Sequence, residues 1–147
     1  MRIYRRFWGI AASIALLFPL ALFSDTLSIS GNPAAMSITT ATAGSNPDSA
    51  TDNSTTCNMT TLTVVRKVTG KINTNMPTGL TLRVQIAAPT GATSAGSVAM
   101  TTTAANLITA IPKSTTATNL EITYTLAATP TAAPATAVTR ILTLTLQ

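Results

Sequence analysis

The chain has 147 residues, nine of them basic and four acidic, with one cysteine and no histidine, so its length supports one domain and its composition excludes a histidine base or ligand. With four scattered carboxylates there is no acid/base pair and no set of nucleophile, base and oxyanion donors; the chain reads as no enzyme, with no cofactor and no metal. The net charge of +5 is largely a property of the N-terminus: from Asp25 onward Arg66, Lys67, Lys71, Arg83, Lys113 and Arg140 face Asp25, Asp48, Asp52 and Glu121, a balance of +2 that offers nucleic acid no basic footprint.

The first element is a leader. Arg2, Arg5 and Arg6 precede an apolar run over residues 10–23 that Pro19 interrupts and that ends beside the small Ser24. This is the order of a secretory signal peptide, and the run is shorter than the roughly 20 apolar residues of a membrane span. Residues 1–24 are therefore expected to be a signal peptide removed on export, and residues 25–147 the folded domain, secreted or held at the cell surface. Membrane contact is expected only through the signal segment before cleavage. Leu22 stands where a small residue is usual before a cleavage site, which leaves an uncleaved anchor as the alternative.

Beyond the leader, threonine supplies 31 of the 123 residues. Its β-branched side chain favours extended backbone, and a weakly charged chain that is 46% hydrophobic overall is unlike a disordered one. Strands are expected in chain order at residues 27–30, 36–40, 61–72 with a bend near Gly70, 80–86, 96–101, 106–111, 120–126 and 138–147. The clearest are Leu80, Leu82, Val84 and Ile86, which alternate with Thr81, Arg83 and Gln85, and Leu120, Ile122, Tyr124 and Leu126, which alternate with Glu121, Thr123 and Thr125. Gly-, Pro- and Asn-bearing stretches punctuate them: SGNP, NMPTG, APTGATSAG and IPKSTTATN. No amphipathic helical stretch competes. The fold expected is all-β, a single antiparallel β-sandwich of about seven to eight strands, immunoglobulin-like or pilin-like. Residues 42–56 and 127–137 read as exposed loops, the second joining the last two strands as an antiparallel pair.

The last strand is the unusual one. In RILTLTLQ, Leu142, Leu144 and Leu146 alternate with Thr143 and Thr145, so the outward row is hydroxyl where an exposed strand normally carries charge against edge-to-edge pairing. Other candidates read as structural. Asn46, Asp48, Asp52 and Asn53 offer hard oxygen ligands without a complete calcium-loop spacing. Cys57 has no intramolecular partner, which points either to burial as a small hydrophobe or to pairing between chains, and its place beside a polar loop favours partial exposure. Arg66, Lys67 and Lys71 read as a solvated strand face. Asn53-Ser54-Thr55 and Asn58-Met59-Thr60 fit the glycosylation acceptor pattern, which a threonine-rich chain meets by chance. The pairs Thr61/Thr63, Thr123/Thr125 and Thr143/Thr145 lack the constant repeat of an ice-binding array.

The stretches GLTLRVQIAAPTGATSAGSVAM and LEITYTLAATPTAAPATAVTRILTLTL resemble small exported bacterial β-sandwich proteins of the fimbrial-subunit and spore-coat-U kind, in their low charge, Thr/Ala richness and alternating final strand. Where fimbrial subunits carry a disulfide and a near-terminal aromatic, this chain has Cys57 alone and Leu146, so the resemblance implies fold class and a bacterial envelope location, the periplasm included, and no residue roles. The function expected is structural, adhesive or surface-assembly, with other envelope subunits or the chain itself as partners through strand pairing. The alternative is a secreted monomeric binding module for carbohydrate or a small ligand, ranked second because Tyr124 is the one aromatic after the leader.

Overall fold

Alternating β-branched and apolar residues give nine strands in the computed structural model, which describes residues 24–134 and 137–147. They are β1 (Thr26–Ile29), β2 (Ala50–Thr60), β3 (Arg66–Ile72), β4 (Leu80–Ile86), β5 (Thr93–Ser94), β6 (Val98–Ala99), β7 (Ala105–Ile111), β8 (Thr116–Ala128) and β9 (Leu142–Leu146). None of the described residues is helical. The signal peptide expected at residues 1–24 lies, up to Phe23, outside the described residues.

The strands form two antiparallel sheets, in the orders β1-β2-β8-β4-β6 and β5-β7-β3-β9. One core lies between them. Cys57, Met59, Val84, Ile86, Ile122 and Tyr124 point in from the first sheet, and Val68, Ile72, Leu107, Ile108 and Ile111 from the second. The period of two explains most of this burial, since β4 buries Val84 and Ile86 while Arg83 and Gln85 face water. β7 departs from it: register shifts against β3 let the adjacent Leu107 and Ile108 both enter the core. Polar groups drawn inside are satisfied. Thr61 donates to the Pro112 carbonyl at 2.6 Å and accepts from the Thr115 N–H at 3.1 Å, and no buried side-chain N or O among the described residues lacks a partner.

The all-β sandwich expected from the sequence is the observed architecture, with four corrections to its parts. Residues 42–56 are not wholly a loop, because β2 begins at Ala50 and, paired with both β1 and β8, is an interior strand of its sheet. Residues 36–40 form no strand; Met36 packs against the core, but the segment has no ladder. Gly70 lies within β3 and is no bend. A Cβ there would stand 2.7 Å from Leu107 Cδ1 and 3.2 Å from Leu144 Cδ2, so its missing side chain lets β7 and β9 close over the core. The last two strands are not an antiparallel pair either. β8 belongs to the first sheet, β9 to the second, and β9 pairs with β3.

The crossing between sheets is tied down where it starts. Gly79, entering β4, has φ +84°, and its carbonyl accepts from the Thr129 N–H at 2.8 Å. A Cβ at Gly79 would meet the Ala132 Cα at 2.7 Å, a backbone atom that cannot turn aside as a side chain would. Gly79→Ala should therefore lose about 1–3 kcal/mol, from the positive φ and the clash together. Urea unfolding of the variant beside the parent measures it, and equal midpoints would mean that the loop yields freely.

Candidate functional site

The two long sides of the sandwich end differently. On one, the chain passes from β5 in the second sheet to β6 in the first within three residues, and Ser94 Oγ donates to the Ile86 carbonyl of the opposite sheet at 2.8 Å. Both edge strands here have two residues, with Gly91 and Gly96 at positive φ beside them. Edges this short and tightly turned give another chain little to pair with.

The opposite side is open. β1 ends the first sheet, β9 ends the second, and no further strand among the described residues pairs with either. In an antiparallel ladder each residue turns its N–H and C=O alternately toward and away from its neighbour. Gln147 exchanges both bonds with Lys67, at 2.9 and 2.8 Å, and Asn73 N–H donates to the Ile141 carbonyl at 3.0 Å. Ile141, Thr143, Thr145 and Gln147 thus face β3, and Leu142, Leu144 and Leu146 direct their backbone groups to the open edge. β1 repeats the pattern: Ser30 N–H donates to the Thr56 carbonyl at 2.9 Å, so Thr26, Ser28 and Ser30 face β2, and Leu27 and Ile29 face outward.

Between these edges runs a groove of about 570 Å³, lined by Leu27 and Ile29 on one wall, Leu142 and Leu144 on the other, with Tyr124 below and Arg140 at one end. The leucines of β9 are half-buried, while Thr143 and Thr145 are exposed. Ile29 and Ile141, at 38% and 62% exposure, are large apolar side chains left near water at this side. No charge stands on β9. Arg140 is occupied, its Nε and Nη2 donating to the Asn75 carbonyl at 3.1 and 2.8 Å. The site therefore combines apolar walls with two rows of unpaired backbone groups, which suits an extended strand better than a small polar ligand.

Tyr124, below the groove, is 5% exposed. Thr55 Oγ1 donates to its hydroxyl at 3.2 Å, and burial raises its pKa, with the charge of Asp52 and the nearby Cys57 adding to the rise and the Thr55 hydrogen bond opposing it. The ring is thus part of the core and is no platform for a sugar. A second, shallower hollow of about 450 Å³ lies beside Pro89 and Leu120, lined by small and hydroxyl residues without a charged or aromatic side chain.

The other sequence candidates fall outside the groove. Cys57 is fully buried on β2, with burial pushing its thiol up to about 11, so the partial exposure expected of it is corrected to core packing. The reason is period: Thr55, Cys57 and Met59 share the inward face of β2. Of the basic cluster, Lys67 and Lys71 are exposed, whereas Arg66 forms an ion pair with Asp25, whose Oδ1 also accepts the Leu62 N–H at 2.8 Å. That contact fastens the start of β1 to the turn before β3. Asp48 lies in the loop before β2 and Asp52 on β2, and no three Asp, Glu or Cys side chains of the described residues gather as metal ligands do. Asn53 is exposed, and Asn58 is engaged through Oδ1 by the Asn119 N–H at 2.7 Å. Sequence reasoning reached β9 by its hydroxyl row but missed β1 as the second wall, because Thr26–Ile29 is too short for alternation to show which side of it is free.

Comparison with known protein families, with curated proteins and with solved structures finds no match to this chain.

Proposed function

We propose that this is an exported protein of a bacterial envelope with a structural or surface-assembly role, acting by adding a strand at the open side of its sandwich. The observation that supports this reading most is the groove between β1 and β9, where apolar side chains and unpaired backbone groups face outward, with no charge on either strand and Arg140 at one end held by Asn75. The basic start and short apolar run of the N-terminus support export, and the likeness to fimbrial-subunit and spore-coat-U proteins supports the envelope. A carbohydrate-binding module is less well supported, since Tyr124 is enclosed in the core.

Expression of the full chain in a bacterial host, with fractionation and mass measurement, tests the location. The expected result is material outside the cytoplasm that begins at Asp25, and cytosolic protein retaining Met1 would overturn it. The edge is tested with Thr143→Glu/Thr145→Glu. Residue 143 lies opposite Lys71 on β3, so the new carboxylate there meets a cation and the fold is kept, while two charges now stand on the edge. Circular dichroism should be unchanged and self-association or surface attachment lost. If the parent neither associates nor attaches, or if the variant does so equally well, the assembly role falls.

A further inference from the structure

Resting on that reading, we propose that the strand received by the β9 edge is β9 of a second copy of this chain, paired antiparallel about a two-fold axis at Leu144. The residues themselves choose the partner. Leu-Thr-Leu-Thr-Leu reads the same in both directions, and two antiparallel copies of one strand are related by such a symmetry. With Leu144 opposite its counterpart, Leu142 meets Leu146 of the second copy and Thr143 meets its Thr145, so like meets like along all five residues. Moving the centre to residue 143 or 145 leaves part of β9 beyond the pairing.

The backbone fits the same register. Leu142, Leu144 and Leu146 are the residues whose N–H and C=O point to the open edge, and in this alignment they form three hydrogen-bonded pairs, roughly six bonds in all. Thr143 and Thr145 then occupy the intervening non-hydrogen-bonded positions, where facing side chains stand closest, and hydroxyl meets hydroxyl with no charge opposed. The charged neighbour Arg140 is bound to Asn75 and falls outside the paired residues. The result joins two four-stranded sheets into one and covers the half-buried leucines from both sides.

The register makes an unusual test available. In Thr143→Glu/Thr145→Glu each dimer places two carboxylate pairs face to face. In Thr143→Glu/Thr145→Lys the carboxylate introduced at position 143 of each copy instead faces the ammonium introduced at position 145 of the other. Both variants put two charges on the edge and set a carboxylate opposite Lys71, so they differ at residue 145 alone, in the cross-copy pair and in the net charge of the strand. Sedimentation of the parent and both variants, purified after expression of the full chain, reads the outcome. The parent should dimerise, the doubly acidic variant should associate at least about tenfold more weakly, and the mixed variant should recover most of the loss, with its recovery reduced in high salt. Equal loss of association and attachment in both variants would overturn the pairing about Leu144 while leaving an assembly edge for another strand. A monomeric parent that still attaches to the surface would overturn the second copy as partner, and one that neither associates nor attaches would overturn the assembly reading as well.

Discussion

A chain lacking residues 139–147 should show no cooperative unfolding transition. β9 covers one flank of the second sheet: it pairs with β3 from Val68↔Leu146 to Ile72↔Leu142, and Val68 and Ile72 beneath it are at most 1% exposed. The sequence invites the expectation that Leu142, Leu144 and Leu146 are buried in full, at about 1.5–3 kcal/mol each. They are half-buried, so their own share is about half of that, but removal also uncovers β3 and strips it of a ladder whose bonds contribute about 0.5–1.5 kcal/mol apiece. The combined loss approaches the roughly 5–15 kcal/mol that holds a small domain together. Urea titration followed by circular dichroism measures it. A sharp transition within about 2 kcal/mol of the parent would show that β9 is an accessory to the core, and its open edge would then be a weak place on which to build an assembly.

Some parts of this molecule were legible because one physical signal was enough. β4 spans Leu80–Ile86 and residues 120–126 fall in β8, as their alternation predicts, while residues 106–111 fall in β7 although its buried Leu107 and Ile108 are adjacent. β2 was hidden, because only Thr55, Cys57 and Met59 in its second half mark a buried face, and its first half runs through Asp52, Asn53 and Ser54, a sequence that by composition reads as a turn. It is a strand because β1 and β8 flank it and supply a ladder on both sides, which no local pattern announces. Residues 36–40 show the converse, alternation with no ladder to join. The chain's crossing between sheets after β8 was also beyond local pattern, since a long Ala/Thr/Pro segment reads alike whether it turns back or crosses over. For the candidate site this divides cleanly. The hydroxyl row of β9 was in the sequence, and the groove was not, because it needs β1 and β9 to end different sheets on the same side.

Alkali should expose how deeply the polar part of this core is committed. Burial pushes the Cys57 thiol from its ordinary 9.0 up to about 11, and it raises the Tyr124 phenol from its ordinary 10.0 as well. Both groups are neutral when protonated, so the raised values mean that the folded chain holds its protons more tightly than the unfolded one. Below about pH 9 both states keep the thiol proton and stability is insensitive to it. Above pH 9 the unfolded state gives it up while the folded state retains it, so stability falls by up to ~1.4 kcal/mol per pH unit, amounting to roughly 2 kcal/mol by pH 11. Tyr124 steepens the fall above pH 10, in the same direction. Cys57→Ala removes the thiol's share at the cost of a small cavity, so the variant should be less stable than the parent at pH 8 and should draw level with it or pass it by pH 11. Lysine deprotonation affects both proteins alike and drops out of the comparison. Urea midpoints at pH 8, 9, 10 and 11 decide the matter: two curves that stay parallel would mean that Cys57 ionises as readily inside the sandwich as outside it, and the buried thiol next to Tyr124 would have no part in the alkaline limit of the fold.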